Sequence, residues 1–132
     1  MSQEKVEIVR AILDALNAGD PDSAFKYTAP GFEYDFSRSI GLQRWVSTGA
    51  DARRFWEEFA SAWESSRWHA DEFIEADENV VTPLTLSIRR RDGIEVQALR
   101  TAWMWTFRGG MVARISFYKE RQEALEAAGL RE

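Results

Sequence analysis

The chain has 132 residues, 45% of them hydrophobic and 13% aromatic, which predicts a single domain over residues 1–132 with a substantial core. Its net charge of -5 repels phosphate backbones, so we expect no nucleic-acid partner. The chain has no cysteine and no stretch that approaches the ~20 apolar residues of a membrane span, so we expect a cytoplasmic protein without disulfides, thiolate chemistry or a membrane partner.

Three helices are predicted in the first half of the chain. Residues 3–17 carry apolar side chains at helical spacing, and Asp20-Pro21 then supplies a capping side chain followed by a residue favoured in the first helical turn. A third helix is predicted over residues 51–64. Its broad apolar stripe consists of Phe55, Trp56, Phe59 and Trp63.

A first strand is predicted between the second and third helices. Residues 32–36 alternate, with Phe32, Tyr34 and Phe36 on one face and Glu33 and Asp35 on the other. Residues 37–50 show no clear period but include Trp45, a pattern more typical of a lid or binding loop than of a simple connection.

The second half of the chain alternates with period two and predicts four consecutive strands. Their ranges are 68–75, 80–89, 94–107 and 111–118. The short connections contain turn residues, so consecutive strands should be antiparallel neighbours. Pro83 cannot donate to a ladder, which predicts a bulge there or a backbone nitrogen that faces a sheet edge. A short helix over residues 120–128 ends the pattern.

Four stretches carry a resemblance to the SnoaL-like branch of the NTF2-like superfamily. They are VRAILDALNAGD at 9–20, YDFSRS at 34–39, RRFWEEF at 53–59 and WTFRGG at 105–110. The resemblance implies an NTF2-like (cystatin-like) α+β cone: three N-terminal and central helices on a strongly curved, mainly antiparallel sheet, then a short C-terminal helix. It also implies an apolar pocket between sheet and helices and a homodimer formed through the outer sheet face.

The resemblance to ketosteroid isomerases, which belong to the same superfamily, places Asp35 at the position of the catalytic base. A carboxylate enclosed in an apolar cavity can act as a base near neutral pH, so Asp35 is the first catalytic candidate. Ile12 and Trp103 stand where that family has its two acidic hydrogen-bond donors, so steroid isomerisation is not expected. Arg38 follows closely and is a possible ion-pair partner of Asp35.

Two other branches of the superfamily place polar catalytic groups on the strand before the WTF turn. In limonene epoxide hydrolases these are an arginine and an aspartate, where this chain has Thr101 and Trp103, and in polyketide cyclases Trp103 again replaces the acid. The alternate residues of this strand are aromatic, and two interpretations stay open. The aromatic face either stacks on a flat ligand or fills the core.

His69 is the second catalytic candidate, because regular strand geometry would place it on one face with Asp71. The alternative is a surface strand residue. With one histidine and no cysteine, neither a metal nor another cofactor is expected. The resemblance implies the following pocket residues: Ile12, Leu16, Tyr34, Arg38, Trp45, Phe55, Phe59, Thr101, Trp103 and Tyr118.

Two functions remain open from the sequence. The first is a cofactor-independent isomerase, cyclase or hydrolase that acts on a small apolar or aromatic molecule through Asp35. The second is a non-catalytic ligand-binding or dimerisation domain, and a protein-docking module is a weaker third.

Overall fold

The computed structural model describes residues 2–38, 46–48, 54, 56–58, 61 and 63–130. Helix α1 (Ser2–Asn17) buries its apolar stripe, with Val9, Ile12 and Leu13 at most 4% exposed. Helix α2 (Pro21–Phe25) follows, and the Asp20 carboxylate accepts a hydrogen bond of 3.2 Å from the amide of Ser23. Both N-terminal helices were predicted from spacing and capping residues, and both are confirmed.

The remaining elements follow in the predicted order, with additions. The bounds are β1 (Thr28–Arg38), β2 (Val46–Thr48), β3 (Ser65–Ala70), β4 (Ile74–Ala76), β5 (Asn79–Arg89), β6 (Glu95–Arg108), β7 (Met111–Tyr118) and α3 (Arg121–Ala127). Between β2 and β3 the described residues Arg54, 56–58 and Ser61 are helical, within the range of the predicted third helix. The predicted strand over 68–75 is wrong as one element, because β3 and β4 are separate.

The described strands form one mixed sheet in the order β2-β1-β7-β6-β5-β3, with β4 also pairing with β5. All pairs are antiparallel except β1 and β7, which are parallel. That pairing places Tyr34 beside Ile115 and Asp35 beside Ser116. Helices packed on one mainly antiparallel sheet give the α+β arrangement that the resemblance implied.

Pro83 explains why the strand beside β5 is interrupted. Its carbonyl accepts a hydrogen bond of 2.8 Å from the amide of Asp71. Because the nitrogen and carbonyl of a strand residue point to the same side, the proline nitrogen faces the gap between Ala70 and Ile74, where β3 has ended and β4 has not begun. Of the two predicted alternatives, the structure shows the edge-facing nitrogen and not a bulge, because Pro83 stays in regular register with Ala102 on β6.

The two sheet faces carry separate apolar clusters. The inner face is covered by α1 and α2. Its buried residues on the strands are Phe32, Tyr34, Val80, Leu84, Trp103, Trp105, Phe107, Val112, Ile115 and Phe117. The outer face is partly covered by α3, where Ala124 and Leu125 pack against Val81 and Ala102.

A two-pronged ion pair between Arg121 and Glu72 (2.7 and 3.3 Å) holds the start of α3 and lowers the pKa of Glu72.

Candidate functional site

Aromatic rings meet on the inner face of the sheet, and we call five of them the aromatic cluster. Its members are Tyr34 on β1, Trp56 on the central helical segment, Trp68 on β3, Trp103 on β6 and Phe117 on β7. Trp103 is central, with its ring centroid 4.6 Å from that of Phe117, 4.7 Å from that of Trp68 and 5.9 Å from that of Trp56. Five distant parts of the chain therefore build one apolar aromatic surface.

Two hydrogen bonds between neutral side chains lie at or beside this surface. The Trp56 indole N–H donates to the phenol oxygen of Tyr34, and both side chains are buried. Burial raises the pKa of Tyr34 far above its usual value, so the phenol keeps its proton at neutral pH. Nearby, the indole of Trp105 donates to the hydroxyl of Thr82 at 2.9 Å. The aromatic cluster thus offers neutral hydrogen-bonding groups and apolar ring faces.

The structure corrects the predicted position of Asp35. Its neighbours Phe32 and Tyr34 belong to the inner cluster, whereas the Asp35 carboxylate lies on the opposite, outer face. There it is 2.6 Å from Nη2 of Arg114, whose Nη1 is 3.8 Å from Glu33. The alternation of residues 32–36 already placed Asp35 and Tyr34 on opposite faces of the strand. The expectation that Asp35 is a base in the interior was therefore wrong.

His69 and Asp71 lie near each other, with Nε2 of the imidazole 3.8 Å from the carboxylate. The His69 side chain is 71% exposed, and Asp71 also accepts a hydrogen bond of 2.9 Å from the hydroxyl of Thr85. The pair is therefore on the surface of the sheet, away from the aromatic cluster. This geometry matches the alternative interpretation of His69 as a surface residue.

The other predicted pocket residues divide between the two faces. Ile12, Leu16, Tyr34 and Trp103 belong to the inner cluster or pack against it. Thr101 is partly buried and donates its hydroxyl proton to the main-chain carbonyl of Tyr118 at 2.7 Å.

Tyr118 requires a second correction. Its side chain packs against the outer cluster beneath α3 and not in the interior, because it follows the inward-facing Phe117 by one residue. Trp45, Phe55 and Phe59 lie outside the described residues, as does the side chain of Arg38.

Sequence reasoning missed three members of the aromatic cluster, Trp56, Trp68 and Phe117, and in the last case named the neighbouring Tyr118 instead. Trp56 was visible in the apolar stripe of the third predicted helix, but its neighbours Phe55 and Phe59 were named for the pocket instead. Trp68 stood at the start of a predicted strand whose inward face could not be assigned, since only its pairing with Leu86 on β5 decides that face.

The fold is NTF2-like, and a family comparison makes the assignment specific. The model of the SnoaL-like domain family matches residues 9–115. The chain therefore belongs to the SnoaL-like domain family. No functionally curated protein matches the chain at a significant level.

Solved structures with the same fold include proteins from several sources. TerC, co-crystallised with polyporic acid, superposes with a TM-score of 0.74 at 20% identity, over 96% of this chain and 98% of its own. A SnoaL-like putative polyketide cyclase from Jannaschia sp. CCS1 gives 0.75 at 17% identity, over 98% and 94%. A ketosteroid isomerase-like protein from Catenulispora acidiphila, in complex with trimethylamine, gives 0.71 at 16% identity, over 95% and 94%. At these identities the likeness establishes the fold alone.

Two further properties concern only the described ranges. No helix in them has the length and apolar character needed to cross a lipid bilayer. No group of three histidine, aspartate or glutamate side chains among these residues is arranged to hold a metal ion.

Proposed function

We propose that this protein binds a small, flat, largely apolar molecule against the aromatic cluster. The observation that carries the proposal is the convergence of five aromatic rings from β1, β3, β6, β7 and the central helical segment on one inner surface. Flat ring systems gain both apolar burial and ring-to-ring contact on such a surface. The ligand class is therefore aromatic or polycyclic.

The charge of the surface restricts this class further. The members of the aromatic cluster are uncharged, and Tyr34 stays a neutral phenol because burial opposes its ionisation. A charged group placed against these rings would lose its hydration, and none of the five rings carries a charge that could compensate for the loss. We therefore expect the ring system of the ligand to lie on the cluster and any charged substituent to point toward solvent.

Trp68 is the part of the cluster that a ligand reaches first. It is only partly buried, whereas Tyr34, Trp56, Trp103 and Phe117 are between 1% and 6% exposed. A flat molecule that stacks on Trp68 would also lie close to Trp103, whose centroid is 4.7 Å away. Ligands named for two solved relatives, polyporic acid and trimethylamine, support small-molecule binding on this fold.

The geometry fits ligand binding better than a reaction in which Asp35 transfers a proton. The Asp35 carboxylate is held by Arg114 on the outer face, so a molecule on the inner surface is separated from it by the sheet itself. A cyclase, isomerase or hydrolase that uses this carboxylate as base receives no support from that placement. The non-catalytic ligand-binding alternative is the one that we propose.

Isothermal titration calorimetry with polyporic acid tests the proposal, followed by a panel of flat aromatic and polycyclic compounds. We expect saturable binding that weakens about tenfold in Trp68→Phe, since the smaller ring loses stacking area. Ile94→Ala is the matched control because Ile94 is a large apolar residue that is 56% exposed and away from the cluster. It should bind as the wild type does. Absence of binding across the panel, or equal loss in both variants, would refute the proposal.

A further inference from the structure

Three side chains of α1 contact the β3–β4 side of the sheet, in order along the helix. Lys5 near its start donates to the main-chain carbonyl of Asp77 at 2.8 Å. The Arg10 guanidinium lies 4.5 Å from the centre of the Phe73 ring. Asn17 at its end bonds to Trp68. The helix therefore runs antiparallel to the β3–β4 segment and is attached to it at both ends.

The contact of Asn17 with Trp68 uses both polar atoms of the side-chain amide. Nδ2 donates to the Trp68 carbonyl at 2.8 Å, and Oδ1 accepts from the Trp68 amide at 2.7 Å. The strand β3 is the last in the sheet order, so its outward backbone groups have no strand beside them among the described residues. Asn17 satisfies the groups of Trp68 as a neighbouring strand would.

These two hydrogen bonds hold the backbone of Trp68, the residue whose ring is the partly exposed member of the aromatic cluster. Pairing with β5 holds one edge of β3, and two bonds to one planar amide restrain the backbone of Trp68 from the other edge. The Trp68 ring meets Trp103 at 4.7 Å and the edge of Trp56 at 5.9 Å. A small backbone shift at Trp68 would therefore change the spacing of the surface on which the ligand stacks.

We propose that Asn17 is a positioning residue for ligand binding, which acts by holding Trp68 in register with the rest of the aromatic cluster. The proposal rests on the proposed function for its link to ligand. The claim that Asn17 determines the placement of the Trp68 ring is the structural part of the proposal, and it does not depend on any ligand.

Fluorine NMR of protein labelled with 5-fluorotryptophan tests the structural part. The Trp68 resonance is assigned with Trp68→Phe and then compared in Asn17→Ala and Lys5→Ala. Lys5→Ala is the matched control because it removes the other attachment of α1, to the β4–β5 turn, without contacting Trp68. We expect the Trp68 resonance to shift or broaden in Asn17→Ala only. Should the alanine variant fail to fold, Asn17→Ser, which retains a small polar side chain but not the two-pronged amide, takes its place.

Titration with polyporic acid then tests the functional part. We expect affinity to fall about tenfold in Asn17→Ala and less than about twofold in Lys5→Ala, compared at temperatures where both are fully folded. An unchanged Trp68 resonance in the Asn17 variant, or equal effects in both variants, would overturn the inference. Failure of the wild type to bind any probe removes the proposed function, and the fluorine spectra alone then decide whether Asn17 holds Trp68.

Discussion

Asp35 and Arg114 form an ion pair with a separation of 2.6 Å on the outer face of the sheet, one residue along β1 from the buried Tyr34. The parallel pairing of β1 with β7 brings the two together although they are 79 residues apart. This contact gives Asp35 a structural partner and leaves the inner surface to aromatic residues.

The first prediction concerns Asp35→Asn. Removing the negative charge weakens a pair whose side chains are 16% and 42% exposed, so the free energy of unfolding should fall by about 1 kcal/mol. Urea unfolding measures this. Glu33→Gln is the control, since Glu33 lies 3.8 Å from Arg114 and is more exposed, and it should have a smaller effect. If Asp35→Asn lost ligand binding while its free energy of unfolding stayed unchanged, Asp35 would have to be assigned to the functional site.

The second prediction concerns the buried hydrogen bond between Trp56 and Tyr34. Tyr34→Phe removes the acceptor of the indole proton, so stability should fall by about 1 to 2 kcal/mol. Chemical denaturation followed by circular dichroism provides the measurement. The control is Tyr27→Phe, on a tyrosine that is only partly buried, where we expect a change below about 0.5 kcal/mol. Equal losses in the two variants would mean that the bond to Trp56 adds no stability.

The third prediction follows from the raised pKa of Tyr34. Above the ordinary tyrosine pKa of 10.0 the unfolded chain releases this proton while the folded chain retains it, so the unfolded state is favoured. Stability from this group is therefore complete below that pH and falls as the pH rises, by up to about 1.4 kcal/mol per pH unit. Unfolding of the wild type and Tyr34→Phe between pH 9 and about 11.5 checks it. The variant should lose less stability over this range, and parallel curves would contradict the assignment.

The fourth prediction concerns the docking of α3 on the outer face. Leu125 is 1% exposed against Val81 and Ala102, so Leu125→Ala should cost about 2 to 5 kcal/mol. Glu126→Ala, at an exposed position of the same helix, should change stability by less than about 0.5 kcal/mol. Thermal unfolding compares them. A small effect of Leu125→Ala would indicate that α3 adds little to the fold in solution.

The homodimer that the resemblance implied and the cytoplasmic location that the composition implied both stay predictions. A homodimer through the outer sheet face would have to form beside α3, which covers Val81 and Ala102 on that face. The cytoplasmic location inferred from the absence of cysteine likewise stays a prediction.

Some strands were predicted from the sequence with their observed bounds, and others were missed. The strand over 111–118 was predicted with its observed bounds, because Met111–Tyr118 alternates between two turn signals. The short strand β2 was missed, since residues 37–50 carry no period. The break between β3 and β4 was missed because Pro83, which faces it, belongs to the next strand.

The residues of the candidate site were likewise predicted only in part. Ile12, Leu16, Tyr34 and Trp103, predicted as pocket residues, lie in the inner cluster or pack against it, since each stands on an apolar stripe or an apolar strand face. Trp56, Trp68 and Phe117 were not identified. Their rings meet Trp103 only through contacts between different segments of the chain.

The amino-acid sequence by itself determined the helices, most strands and the residues that share a face of each strand, because these depend on side-chain periodicity over a few positions. It also determined the family through local motifs. Only the tertiary structure decided which face became the interior and which side chains met there. The placement of Asp35 beside Arg114, and of Trp68 beside Asn17, depends on pairing between distant segments, and such pairing leaves no periodic signal in either segment alone.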